Sequence, residues 1–207
     1  MTVAPTVYVV EDDPGMRDAL TLLLQSADFN VRSYPSAESF LSEVDRSQPL
    51  CLLTDVRLPD MDGIALYRHL AKLGLGPATV VITAHGDIPM AVAALKEGVV
   101  DFVEKPFDPA VLLECMREAW HRAVANQERK AQIADIEVRR SVLTPREAEI
   151  LELLVEANPN KAIATKLGTS IRTIEHHRAR IMEKMGARSL SHLIKMVLAS
   201  RQFGQNR

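Results

Sequence analysis

The chain has 207 residues, a formal net charge of −2, 47% apolar residues and 25% charged ones. That balance belongs to a folded globular protein, the length is comfortable for two domains, and no apolar run approaches the roughly 18 residues of a membrane span. Charge is uneven: residues 1–126 carry 10 basic against 18 acidic side chains, 127–140 carry 4 against 3, and 141–207 carry 11 against 6. An acidic part joined to a basic part suits a cation-binding module tethered to one that binds a polyanion.

The N-terminal Met1-Thr2-Val3-Ala4-Pro5 lacks the basic flank of a secretory signal. From there to about residue 110, short apolar runs alternate with amphipathic segments. Strands are expected over 7–10, 31–34, 50–53, 80–82 and 102–103, and helices over 16–27, 37–44, 64–73 and 88–97. Alternating strands and helices make a parallel sheet covered on both faces. Right-handed crossovers then reduce the topology to a five-stranded doubly wound α/β fold. Cys51 and Cys115 have no metal-ligand spacing, so two free buried thiols in a reducing cytoplasm are expected.

No strand signal recurs after Asp108. A helix opens at Pro109, and 126–141, which has neither Gly nor Pro, reads as a helical connector. The expected organisation is a domain over 1–125, a linker over 126–141 and a second domain over 142–207. The second opens at Thr144-Pro145-Arg146-Glu147, where Thr144 caps a helix, Pro145 takes the first helical position and Glu147 closes a capping box. Four helices, over roughly 145–156, 160–167, 171–185 and 190–201, make it a small all-α unit. The Gly168-Thr169-Ser170 turn marks a helix-turn-helix.

Five polar side chains fall where expected strands end: Glu11 and Asp12 after the first, Asp55 after the third, Thr83 at the fourth and Lys105 after the fifth. In an open parallel sheet all these ends share one edge, where ligands bind, so residues distant in the chain converge. Three close carboxylates repel one another, and a divalent cation resolves the conflict. Mg²⁺ fits best, since it takes oxygen ligands, one or two carboxylates, and waters that a phosphate can replace. Such an ion would neutralise a phosphoryl group under attack by a carboxylate. Lys105 would add a fixed positive charge and Thr83 a hydroxyl donor. Singly each feature is ordinary; the conjunction points to a site.

In the third helix of the second domain, Ile171, Ile174, Ile181 and Met185 share an apolar stripe and are expected in the core. Polar and basic groups near its N-terminus suit a DNA major groove, with arginines on phosphates. Arg172, Thr173, Glu175, His176, His177, Arg178 and Lys184 are the candidate DNA contacts.

Val9-Val10-Glu11-Asp12-Asp13, the run 54–63 (Thr-Asp-Val-Arg-Leu-Pro-Asp-Met-Asp-Gly), Ile82-Thr83-Ala84-His85-Gly86-Asp87 and Glu104-Lys105-Pro106-Phe107 resemble, in order, the receiver domains of two-component response regulators. Residues 143–198 resemble the LuxR/FixJ type of helix-turn-helix through Leu143-Thr144-Pro145-Arg146-Glu147, Asn160-Lys161-Ala162-Ile163-Ala164, 172–185 and 189–196. The pairing is similar to FixJ-like regulators.

The resemblance implies that Asp55 is the phosphate acceptor. It implies Mg²⁺ held directly by Asp12 and Asp55, by Glu11 through water and by the backbone carbonyl of Arg57. Thr83 and Phe102 match switch positions, Lys105 the phosphate-contacting lysine, and Lys105-Pro106 a cis bond. Implied partners are a sensor histidine kinase, double-stranded DNA, RNA polymerase and a second copy of the chain when phosphorylated, with no membrane. The chain would be a cytoplasmic regulator that catalyses only its own phosphotransfer.

Asn158 stands where relatives have Gly, its tolerance of left-handed backbone being the expected reason. Glu175 stands where many relatives have Lys; it can accept from cytosine N4 but weakens non-specific attraction. The fourth helix, opened by Asp87 and Pro89, is apolar on nearly every side. Ile88, Ala91, Ala94 and Leu95 are expected on the sheet, leaving Val92 and Lys96 as the candidate dimer surface.

Two other readings use the same residues. An aspartyl-phosphate phosphatase would need a second acid two residues after the nucleophile, where Arg57 stands. A DNA-binding protein with a constitutive interaction module would not need the whole acidic set.

Overall fold

In a computed structural model of the chain, residues 5–84 and 88–205 are described, the side chains of 88 and 202–205 excepted. His85, Gly86 and Asp87 lie outside the described residues, as does the expected sheet contact of Ile88. The chain divides into two compact units, Met1–Glu128 and Arg129–Arg207. Among the described residues no helix is long and apolar enough to cross a membrane.

The first unit holds β1 (Thr6–Val10), α1 (Pro14–Ser26), β2 (Asn30–Tyr34), α2 (Ala37–Glu43), β3 (Cys51–Asp55), α3 (Gly63–Lys72), β4 (Ala78–Thr83), α4 (Ile88–Glu97) and β5 (Asp101–Glu104). All strands are parallel, in the order β2-β1-β3-β4-β5. Alternation along the strands feeds two cores. Val7, Val9, Cys51 and Leu53 pack with Leu20, Leu24, Leu112 and Met116, while Tyr8, Val10 and Leu52 pack with Phe40, Leu66 and Leu70. β1 and β3 are thus covered on both faces, the burial a parallel sheet requires. Both cysteines are free and buried.

α5 runs from Pro109 to Ser141. The helix expected over 126–141 is therefore a continuation of the one opened at Pro109. Residues 129–141 group with the second unit, and Ile136 is part of its core.

The second unit adds α6 (Pro145–Val155), α7 (Asn160–Lys166), α8 (Ile171–Met185) and α9 (Leu190–Gln205). Ile150, Leu154, Ile163, Ile174, Ile181, Met185, Leu193 and Val197 fill its centre. The capping box forms as the sequence predicts: Thr144 Oγ1 accepts from the Glu147 N–H, and Glu147 Oε2 accepts from the Thr144 N–H. After α6 the left-handed residue is Ala157 (φ 61°), not Asn158. Asn158 closes the helix instead, its N–H and side-chain amide both donating to the Leu153 carbonyl at 3.1 and 3.0 Å.

Candidate functional site

The carboxyl ends of β1 and β3 lie side by side where the strand order reverses, the crevice in which doubly wound sheets take ligands. Glu11 and Asp55 sit there and are almost fully buried, at 1% and 8% exposure. Lys105 reaches in from beyond β5 and bridges them, with Nζ 2.8 Å from Glu11 Oε2 and 2.5 Å from Asp55 Oδ2. The Lys105-Pro106 bond is cis. The other Asp55 oxygen accepts from the Arg57 N–H at 2.9 Å. Thr83 is buried at the end of β4, where its carbonyl accepts from the Lys105 N–H at 2.7 Å. Asp12 is exposed beside this cluster.

Burial raises the pKa of Glu11 above the ordinary carboxylate value, although its bond to Lys105 works the other way. Burial also disfavours the charge on Lys105, but its bonds to Asp55 and Glu11 outweigh this and raise its pKa. Two carboxylates therefore share one ammonium.

Receiver domains generally bind Mg²⁺ at the phosphorylation site. Among the described residues no three acidic, His or Cys side chains converge as a metal cage, because Lys105 occupies the space between Glu11 and Asp55 while Asp12 faces solvent. The donor chemistry still fits a hard divalent ion, which needs only one or two carboxylates with water completing its shell.

One contributor was missed in the sequence. Arg17, on the first turn of α1, donates from Nη1 to the carbonyls of Glu11 and Asp12 at 2.8 and 3.2 Å and so fixes the acidic turn. Its place one turn after an acidic run was the available signal.

Phe102 is half-buried against the cluster of Val56, Ile64, Tyr67, Val81, Ala94 and Val99, which joins α3, α4 and the sheet. On α4, Ala94 is buried and Ala91 half-buried. Leu95, expected on the sheet, is instead exposed to the same 43% as Val92, and Met90 is exposed beside them. The outward side of α4 is therefore more apolar than expected, with Lys96 also exposed.

Ser170 caps α8 by accepting from the Thr173 N–H at 3.0 Å. Arg172, Glu175 and His176 are exposed; Thr173 and Arg178 are half-buried. Ile171 is no core residue but 44% exposed, since the first residue of α8 lies ahead of the stripe set by Ile174, Ile181 and Met185. His177 is half-buried with Nδ1 enclosed and, among the described residues, without a hydrogen-bond partner, so it flanks the core. Lys184, another candidate DNA contact, is engaged within the unit. Its Nζ lies 2.6 Å from Glu147 Oε2 and 3.3 Å from the Val142 carbonyl, an ion pair inside the unit. Arg180, absent from the expected set, is exposed. Counting four and eight from Arg172 reaches His176 and Arg180, which places the three along one side of α8.

The sequence profile described as "Response regulator receiver domain" matches residues 7–117, and the one described as "Bacterial regulatory proteins, luxR family" matches 141–197. The transcriptional regulatory protein FixJ of Rhizobium meliloti (strain 1021) is 43% identical over 194 residues, covering 94% of this chain and 95% of its own. The response regulator protein TmoT of Ectopseudomonas mendocina is 37% identical, covering 92% of this chain and 86% of its own. Among solved structures, the response regulator StyR is 38% identical with a TM-score of 0.74, covering 94% of this chain and 98% of its own. Full-length FixJ from B. japonicum is 37% identical with a TM-score of 0.56, covering 97% and 99%. The chain belongs to the FixJ-type response regulators, which join a receiver domain to a luxR-family DNA-binding domain and regulate transcription.

Proposed function

We propose that a sensor histidine kinase phosphorylates Asp55, with Mg²⁺, and that the phosphorylated chain dimerises and binds specific double-stranded DNA to control transcription. The observation that carries this reading is the Asp55–Lys105–Glu11 cluster, in a chain whose other unit belongs to the luxR family. An Asp55 carboxylate oxygen attacks the phosphorus of a phosphohistidine. The O–P bond forms as the N–P bond breaks, and the imidazole nitrogen leaves with the electron pair and takes a proton from water. Lys105, already on an Asp55 oxygen, turns to the phosphoryl oxygens and balances their charge. Glu11, Asp12, Asp55 and the Arg57 carbonyl would hold the Mg²⁺, which when bound neutralises charge on the phosphoryl group.

Thr83 donates its hydroxyl to a phosphoryl oxygen. The Phe102 ring then takes the vacated space, repacking the surface around α4. Exposed Met90, Val92 and Leu95, with Lys96 at the edge, give that surface its apolar character and make it the dimer face. A two-fold dimer presents two α8 helices to adjacent half-sites, with Arg172, Thr173, Glu175, His176 and Arg178 toward the DNA. The chain works in the cytoplasm, has no external substrate, and acts on RNA polymerase from its DNA site.

The test is to treat the full chain with a small phosphodonor and Mg²⁺ and follow intact mass, sedimentation and binding to DNA selected from a random pool. The parent should gain one phosphoryl group, dimerise and bind more tightly. Asp55→Asn should take up none; undiminished labelling would overturn the acceptor. Val92→Asp should be labelled but stay monomeric, and dimerisation equal to the parent's would move the interface elsewhere.

A further inference from the structure

The C-terminal end of α8 is closed by a side chain from α5. Gly186 ends α8 in the left-handed conformation (φ 64°), and its N–H and that of Ala187 return to the carbonyls of Glu183 and Met182. A helix leaves its last carbonyls open. That of Met185 accepts from Arg139 Nη1 at 2.9 Å, while Asp135 lies 2.8 Å from Nη2 and steadies the guanidinium. The contact over Gly186 is so close that a Cβ there would lie 2.1 Å from Nη1. The positive φ is what favours glycine here, and a Cβ at this position would also push the Arg139 guanidinium off the Met185 carbonyl. A cation here also complements the helix dipole. Arg139 precedes the luxR-family match, which begins at residue 141.

We propose that Arg139 is a positioning residue for DNA recognition: by holding the C-terminal end of α8 it sets the pose of the N-terminal half that carries Arg172, Glu175 and His176. This rests on reading α8 as the DNA-contacting helix. From Arg172 to Met185 the helix is ~20 Å long, so a tilt of ~5° at the held end shifts the other by ~1.7 Å. Recognition tolerates about 0.5 Å. Lys184 ties the same turn through its side chain to Glu147, whereas Arg139 grips the backbone itself.

Arg139→Met keeps the aliphatic stem and removes the donor. In the full chain it should lower the preference for selected over unrelated DNA by about tenfold. The slope of log affinity against log salt should not change, because only a direct phosphate contact would reduce it, by about one. Arg139→Lys should restore part of the preference. Gly186→Ala should destabilise the parent more than it destabilises the Arg139→Met variant, where the clash is gone. Amide exchange at Gly186 and Ala187 should quicken in Arg139→Met.

An unchanged preference would overturn the proposal, as would a reduced salt slope, which would make Arg139 a DNA contact. An equal cost of Gly186→Ala in both backgrounds would remove its structural basis. If the parent itself preferred no DNA, the DNA reading would fall and this proposal with it, and the exchange and Gly186 measurements would separate that failure from a failure of the cap.

Discussion

Lys105 and Lys184 make nearly the same bond. One stands 2.5 Å from Asp55 and 2.8 Å from Glu11, the other 2.6 Å from Glu147, and all three carboxylates are buried. What separates them is the balance of charge. Glu147 is matched one to one by Lys184 and also receives the Thr144 N–H, so its carboxyl is held down to about 2, first by the lysine. Glu11 must share its ammonium with Asp55, and burial pushes its pKa up. One site is closed, while the other keeps an excess of negative charge beside exposed Asp12. A buried ion pair is therefore no sign of function by itself; charge left uncompensated is the sign.

The largest effect expected from this contrast falls on the closed pair. Lys184→Met leaves Glu147 buried without its cation, and breaking such a pair costs about 3–5 kcal/mol when both partners are enclosed. Lys184 is one-third exposed, which lowers the expected loss to about 2–3 kcal/mol. Urea unfolding followed by helical circular dichroism should show the second unit melting earlier, by the same amount with and without Mg²⁺. Rescue by Mg²⁺ would erase the distinction between the two sites.

The sequence made the open site legible and the closed one invisible. Strand ends in a parallel sheet share an edge, so a period-two pattern with polar residues after each run was enough to bring Glu11, Asp55, Thr83 and Lys105 together. The partner of Lys184 is not legible because helical spacing gives a face but not the element opposite; Glu147 lies 37 residues earlier. The capping box of Glu147 was legible, its second bond was not. Leu95 and Ile171 failed for a related reason: an apolar side chain near a helix end or on a wide apolar helix has no period that forces it inward. Arg139 left no signal at all, because a backbone carbonyl as partner has no sequence signature.

A smaller effect is expected at the open site. Lys105→Met leaves Glu11 and Asp55 facing each other without an ammonium, but Glu11, whose pKa burial already raises, can take up a proton in its place, which should hold the loss to about 1–2 kcal/mol in the absence of a divalent ion. Here millimolar Mg²⁺ should restore part of the loss, by binding the folded form. Trp120, the chain's one tryptophan and packed against the core of the first unit, gives a fluorescence signal for that transition alone. Indifference to Mg²⁺ in both the parent and the variant would sink the idea that this excess charge awaits a cation.

The smallest effect is a change of slope with pH, and it tests the closed pair without leaving an anion behind. Glu147 has a folded pKa of about 2 against an ordinary 4.5, so its share of stability is complete above 4.5 and is lost as pH falls from 4.5 through 2. Glu147→Gln keeps an oxygen for the Thr144 N–H and removes the charge. The lysine left behind is one-third exposed and can carry its ammonium to water on its flexible stem, so this variant, unlike Lys184→Met, leaves no charge buried without a partner. Between pH 4.5 and 2 the stability of the second unit should then fall less steeply than in the parent. Glu11, whose pKa is shifted upward, works in the opposite sense and contributes no such acid-induced loss. Acid titrations of the two units, followed by Trp120 fluorescence for the first and amide exchange in α6–α9 for the second, should therefore separate in the parent and draw together in Glu147→Gln. A parent-like slope in that variant would mean that Glu147 is not the carboxylate whose charge Lys184 holds.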